Sequence, residues 1–191
     1  MYLLQPSGCH PFGFIAHPKT ASRAVREPIV AAGGSCPKGH HQICPETIKR
    51  LKANPYAVLG CTVRNPFDKM VSWYYYQEQN VMEKAGREWR SFDEWIEMIF
   101  GQNEDGGTAQ RFLRRGMFYG AQYCDAFIRF EEPLTPQLNA ITPEGFPHLE
   151  AGFRQDWCTN RRPYREVYTP WSRRFIQEKF ADELEEFRYS Y

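Results

Sequence analysis

Twice along this chain a short apolar run ends in a basic turn that leads straight into a helical pattern. That repeat constrains the fold more than any other feature, because parallel strands need a crossover connection and a helix is the usual one. The first run is Phe12 to His17. It is followed by His17-Pro18-Lys19-Thr20-Ala21-Ser22-Arg23-Ala24 and by a helical pattern from Ser22 to Ala32 that Gly33-Gly34 should end. The second run is Tyr56 to Val63, bounded by Asn54-Pro55 and Asn65-Pro66; Arg64 follows it, and Pro66 opens a long helix toward Val81 with Asn65 as its cap. A turn of this kind is suited to an anion, since helix-start N–H groups have no intrahelical partner. Lys19, Arg23 and Arg64 add charge, and Thr20 and Ser22 add hydroxyl donors.

The remaining segments fit the same plan. Ser35 to Cys44 reads as a loop rich in Gly, Pro, Cys and His, and Pro45 to Ala53 as a short helix. Ser91 to Phe100 reads as an amphipathic helix with Ser91 and Glu94 at capping-box spacing. Gln102 to Thr108 reads as a polar loop, Asp125 to Phe130 as a third strand, Pro143 to Arg165 as irregular, and Thr169 to Phe187 as a last helix. Strands alternating with helices predict an α/β fold: a single domain, residues 1–191, with a central parallel β-sheet flanked by helices.

Composition narrows the partners. The chain is 42% hydrophobic and 16% aromatic, enough to build a core, and its net charge of +1 gives no global attraction to nucleic acid. No apolar run approaches the ~20 residues that span a bilayer. The start, Met1 to Gly13, lacks the basic and long apolar regions of a signal peptide. Six irregularly spaced cysteines, among them Cys61 and Cys124 in apolar surroundings, are expected as reduced thiols of a cytoplasmic protein.

The two basic turns, PKTASRAV and RNPFDKMVSWY, resemble the signatures of sulfotransferases that use 3′-phosphoadenosine 5′-phosphosulfate (PAPS) and release the product PAP. The first is similar to their 5′-phosphosulfate loop. The second is similar to their 3′-phosphate motif, in which Arg and Ser stand eight positions apart, as Arg64 and Ser72 do. Asp125–Pro133 resembles a later strand of those enzymes, and Tyr168–Tyr191 the C-terminal helix of the carbohydrate-sulfotransferase branch. The chain departs from that branch at Lys69, where Arg is usual, and at Arg188, where Gly is frequent.

The resemblance implies the nucleotide-kinase-like sulfotransferase fold and transfer of a sulfuryl group to an acceptor hydroxyl, of a saccharide by analogy with that branch. It implies that Pro18, Lys19, Thr20, Ala21, Ser22 and Arg23 cradle the 5′-phosphate, with Lys19 stabilising the departing oxygen. Arg64 and Ser72 would take the 3′-phosphate, and Arg161 or Arg162 would close over it. His followed five positions later by Glu is frequent in the family; His41 and Glu46 match, so His41 is the expected base and His40 the second choice. The scheme requires no metal.

Other readings compete. Cys36, His40, His41 and Cys44 are zinc-type ligands, though not at a usual finger spacing, and Cys36 with Cys44 could form a disulfide. A nucleotide kinase is a second alternative, but the full G-x-x-x-x-G-K-[ST] loop is absent. A non-catalytic nucleotide-binding or zinc-binding module is a third. Trp73, Tyr74, Tyr75, Tyr76, Trp157 and Trp171 read as packing residues rather than a base-stacking platform.

Overall fold

A computed structural model of the chain describes residues 1–36, 41–85, 89–101, 107–152 and 161–191. The chain divides into two compact units, one of Met1–Arg64 with Gly120–Gln155 and one of Asn65–Tyr119 with Asp156–Tyr191.

The first unit holds the sheet. Its strands are β1 (Tyr2–Leu4), β2 (Phe12–Ile15), β3 (Val58–Val63) and β4 (Ala126–Arg129), in the order β1-β2-β3-β4. β2, β3 and β4 are mutually parallel, while β1 runs antiparallel to β2. The fold is therefore α/β with a mostly parallel four-stranded sheet, and the three strands read from the sequence are its parallel part. The antiparallel edge β1 was not expected, because three residues are too few for periodicity to register.

Helices α1 (Ser22–Ala31), α2 (Pro45–Lys52) and α6 (Leu134–Ile141) belong to this unit. Two strand glycines let helices approach the sheet. A Cβ on Gly13 would stand 2.6 Å from Leu51 of α2, and one on Gly60 would stand 2.7 Å from Ile141 of α6. Gly13 lies beside Leu59 and Gly60 beside Phe12, so α2 and α6 cover opposite faces. Phe12, Phe14, Leu59, Cys61, Val63, Ile128 and Leu138 form the buried interior. α6 has no clear signature in the sequence, because Pro136 and Asn139 dilute its helical signal.

The second unit is helical: α3 (Pro66–Ala85), α4 (Phe92–Phe100), α5 (Gly107–Leu113), α7 (Pro170–Lys179) and α8 (Ala181–Glu186). Asn65 caps α3 as expected, its Oδ1 accepting from the Phe67 N–H at 3.0 Å. The Ser91–Glu94 capping box is also present. Trp95, Phe67, Phe180 and Met70 are fully buried, and Trp95 Nε1 donates to Gln77 Oε1 at 2.6 Å. Trp73 and Tyr74 are buried as packing residues, whereas Tyr76 and Trp171 are exposed; Trp157 lies outside the described residues.

Two expectations need correction here. Gly107 and Thr108, assigned to a polar loop, open α5. The helix expected over Thr169–Phe187 is broken at Phe180, whose φ of −122° and ψ of 32° leave the helical region. The ladder nearly survives, with Phe180 N–H donating to Ile176 O and Leu184 N–H to Phe180 O. The Phe180 ring is buried and packs edge-on against Phe100, so tertiary packing accompanies a bend that helical periodicity does not register. Among the described residues no helix is long and apolar enough to cross a membrane.

Candidate functional site

Lys19 and Arg64, singled out from the sequence, follow the carboxyl ends of β2 and β3, where ligands usually bind in open α/β sheets. β2 runs into Ala16-His17-Pro18-Lys19-Thr20-Ala21 before α1 begins. Lys19 (φ 62°) and Ala21 (φ 56°) both take the left-handed conformation. For residues with a Cβ this costs about 1–2 kcal/mol each, so the surrounding structure must hold them there. Backbone that alternates in this way turns successive N–H groups toward one point, the geometry of an anion nest. Ala21 is also the N-cap of α1, and its methyl group cannot accept from the first-turn N–H groups.

Buried hydrogen bonds tie this turn to β3. His17, 4% exposed, donates from Nδ1 to Thr62 O at 3.0 Å. The Thr20 hydroxyl donates to His17 O at 2.9 Å and lies 2.6 Å from the Thr62 hydroxyl. Each hydroxyl has one proton, so Thr62 donates to Thr20. Thr20 is fully buried, and its hydroxyl ties the turn to itself and to β3. Ser22 is buried, Pro18 and Lys19 are half-buried, and Arg23 is exposed at the start of α1.

Arg64 is at the end of β3. It is 5% exposed, and its Nη1 donates to Lys19 O at 2.9 Å. Its guanidinium lies 3.9 Å from the ring centre of Phe130, at the end of β4. Arg64 thus bonds the turn directly, a contact its sequence position did not announce. His41 reaches the same turn from another direction, its Nδ1 lying 2.7 Å from Ala16 O. A carbonyl only accepts, so Nδ1 carries the proton and Nε2 has the lone pair of the neutral ring. His40 lies outside the described residues.

Lys19, Arg64 and His41 are therefore linked through one six-residue turn. Ser72, Arg161 and Arg162 belong to the second unit. Ser72 is buried on α3. Arg161 pairs with Asp68 at 2.6 Å, and Arg162 Nε donates to Tyr75 Oη at 3.3 Å. The bond to Tyr75 raises the Arg162 pKa further.

Of the four zinc-type residues, Cys36, His41 and Cys44 are described and His40 is not. Among the described residues no three His, Cys, Asp or Glu side chains stand together as a metal site. Cys36 and Cys44 are free thiols. Cys44 donates to Glu46 Oε2 at 3.3 Å and accepts from the Thr47 hydroxyl at 3.0 Å.

Three residues of this cluster were not singled out from sequence: His17, Thr62 and Phe130. His17 lies within the quoted motif and could have been flagged there. Thr62 and Phe130 gave no signal, since a threonine in an apolar strand and a phenylalanine at a strand end are commonplace. Comparison of the chain with models of known families, with curated proteins and with solved structures gives no match.

Proposed function

We propose that the chain is a PAPS-dependent sulfotransferase that moves a sulfuryl group to an acceptor hydroxyl, of a saccharide by analogy with the branch it resembles. The observation that supports this best is the left-handed turn Lys19–Ala21 at the end of a buried parallel strand, bonded by Arg64 and His41. PAPS supplies an activated sulfuryl group on a good leaving group; the chain supplies position and charge, as in phosphoryl transfer. The backbone of the turn holds the 5′-phosphate. Lys19 stabilises the negative charge that builds on the leaving oxygen. His41 Nε2 accepts the proton of the attacking hydroxyl. Ser72, Arg161 and Arg162 enter this reading on sequence grounds alone.

The test is transfer of labelled sulfate from PAPS to a panel of hydroxyl acceptors, saccharides included. Lys19→Ala should lower kcat far more than it weakens PAP binding, because its charge matters most in the transition state. His41→Ala should bind PAP normally and lose about 10²–10⁴-fold in turnover. Absence of PAP binding by the wild-type chain would end the reading. Full activity in both variants would end the role assignments.

A further inference from the structure

We infer that Phe130 is a positioning residue, one that sets the Lys19 turn by orienting Arg64. The inference rests on the proposed anion-binding role of that turn.

Arg64 is 5% exposed, and its guanidinium is engaged both through its edge and over its face. Its Nη1 bonds Lys19 O at 2.9 Å, and its guanidinium stacks 3.9 Å from the centre of the Phe130 ring. The planar guanidinium can do both at once, since stacking uses its face and hydrogen bonding its edge. Phe130 is in turn fixed by the sheet: its N–H donates to Val63 O at 2.9 Å, continuing the β3–β4 ladder past Arg129. Val63 is the residue just before Arg64. The ring is thus held beside the guanidinium by backbone bonding that its own side chain does not influence.

The result is a brace across the three parallel strand ends: Phe130 after β4, Arg64 after β3 and Lys19 after β2. Lys19 is held at φ 62°, a conformation that needs outside support. The Arg64 bond ends on the carbonyl of that same residue. Loss of the ring removes the stacking partner from one face of the guanidinium, and its bond to the Lys19 carbonyl is less firmly directed.

The test is calorimetric PAP binding by the wild type, Phe130→Leu, Arg64→Met and the double variant. Acting through Arg64, Phe130→Leu should weaken PAP about tenfold in the wild-type background, within the range of a desolvated cation–π contact. In the Arg64→Met background the same change should cost less than about twofold. Phe130→Tyr keeps the ring face and should restore affinity. Equal losses in both backgrounds would overturn the inference, because they would show a packing role independent of Arg64. Phe130→Met replaces the leucine variant if the latter melts early.

A ligand-free readout separates this inference from the function itself. Hydrogen exchange of the Arg64 guanidinium, followed by NMR, should accelerate in Phe130→Leu and return in Phe130→Tyr. If the wild type does not bind PAP, the sulfotransferase reading fails and this exchange alone decides the brace. Unchanged exchange would overturn it.

Discussion

Ala21 holds a left-handed conformation while carrying a Cβ, and it does so as the N-cap of α1. Glycine adopts that conformation without penalty and is also the better N-cap. Ala21→Gly should therefore stabilise the chain by up to about 1 kcal/mol after the entropy of the unfolded glycine is subtracted, read as a higher urea midpoint at unchanged slope. A lower midpoint would show that the turn is not strained. Thr62→Val removes the hydroxyl that donates to Thr20 while keeping the shape of the side chain. It should destabilise by about 1–2 kcal/mol; Thr62→Ser should recover most of this. Neither effect was legible in His17–Ala24. Pro18 and the hydroxyls mark a turn in the sequence, but the backbone angles of Lys19 and Ala21 are set by contacts elsewhere in the chain.

At the scale of elements, β4 shows how an exposed sheet edge is closed. The Gln137 side chain on α6 accepts from the Arg129 N–H at 2.8 Å and donates to the Arg129 carbonyl at 2.9 Å, as a neighbouring strand would. Gln137→Ala should leave those groups open to another chain. The expected outcome is concentration-dependent association, measured by light scattering, with a loss of about 1–2 kcal/mol in stability. A monodisperse variant of unchanged stability would refute the edge role. The start of α4 behaves differently, because its cap carries charge. Glu94 accepts from the Ser91 N–H and hydroxyl, and these bonds hold its carboxyl below the ordinary value of 4.5. A depressed pKa means that the carboxylate contributes stability above 4.5, and that this is lost as pH falls through the folded value. Hydrogen exchange in the first turn of α4 should accelerate over that acidic window in the wild type. In Glu94→Gln, which keeps a capping-box residue but does not titrate, the acceleration should be absent.

The molecule as a whole should be sensitive to alkali. Burial pushes the Tyr74 hydroxyl up to about 12, and burial also raises Tyr168 well above its ordinary 10.0; the two donate to Arg90 O and Phe67 O. A raised pKa means that the folded chain holds the proton more tightly than the unfolded chain. The stabilisation is complete below pH 10 and is lost as pH rises through the folded values. Melting temperatures should fall from about pH 10 upward, and Tyr168→Phe should flatten part of that decline. Ligand linkage gives a second whole-chain measurement. At a PAP concentration of about one hundred times Kd, stabilisation should approach 2.7 kcal/mol, or roughly 5–10 °C for a chain of this size. ATP should give little or no shift.

What the sequence by itself determined is the order of the three parallel strands, their two basic turns and the helices α1 to α4, together with the Asn65 and Ser91 caps. These are written in nearest-neighbour terms, as the period of apolar residues, the position of proline and a capping residue three places before its partner. The α/β class followed from that order. The tertiary structure decided the rest. β1 exists because it pairs with β2, and the last helix breaks where Phe180 is buried. Lys19 and Arg64, 45 positions apart, meet only because β2 and β3 lie side by side in parallel. Phe130 reaches Arg64 only because Val63 pairs with Arg129. Register between strands distant in sequence is set by the summed burial of a whole sheet face, and no local pattern within either strand encodes its partner.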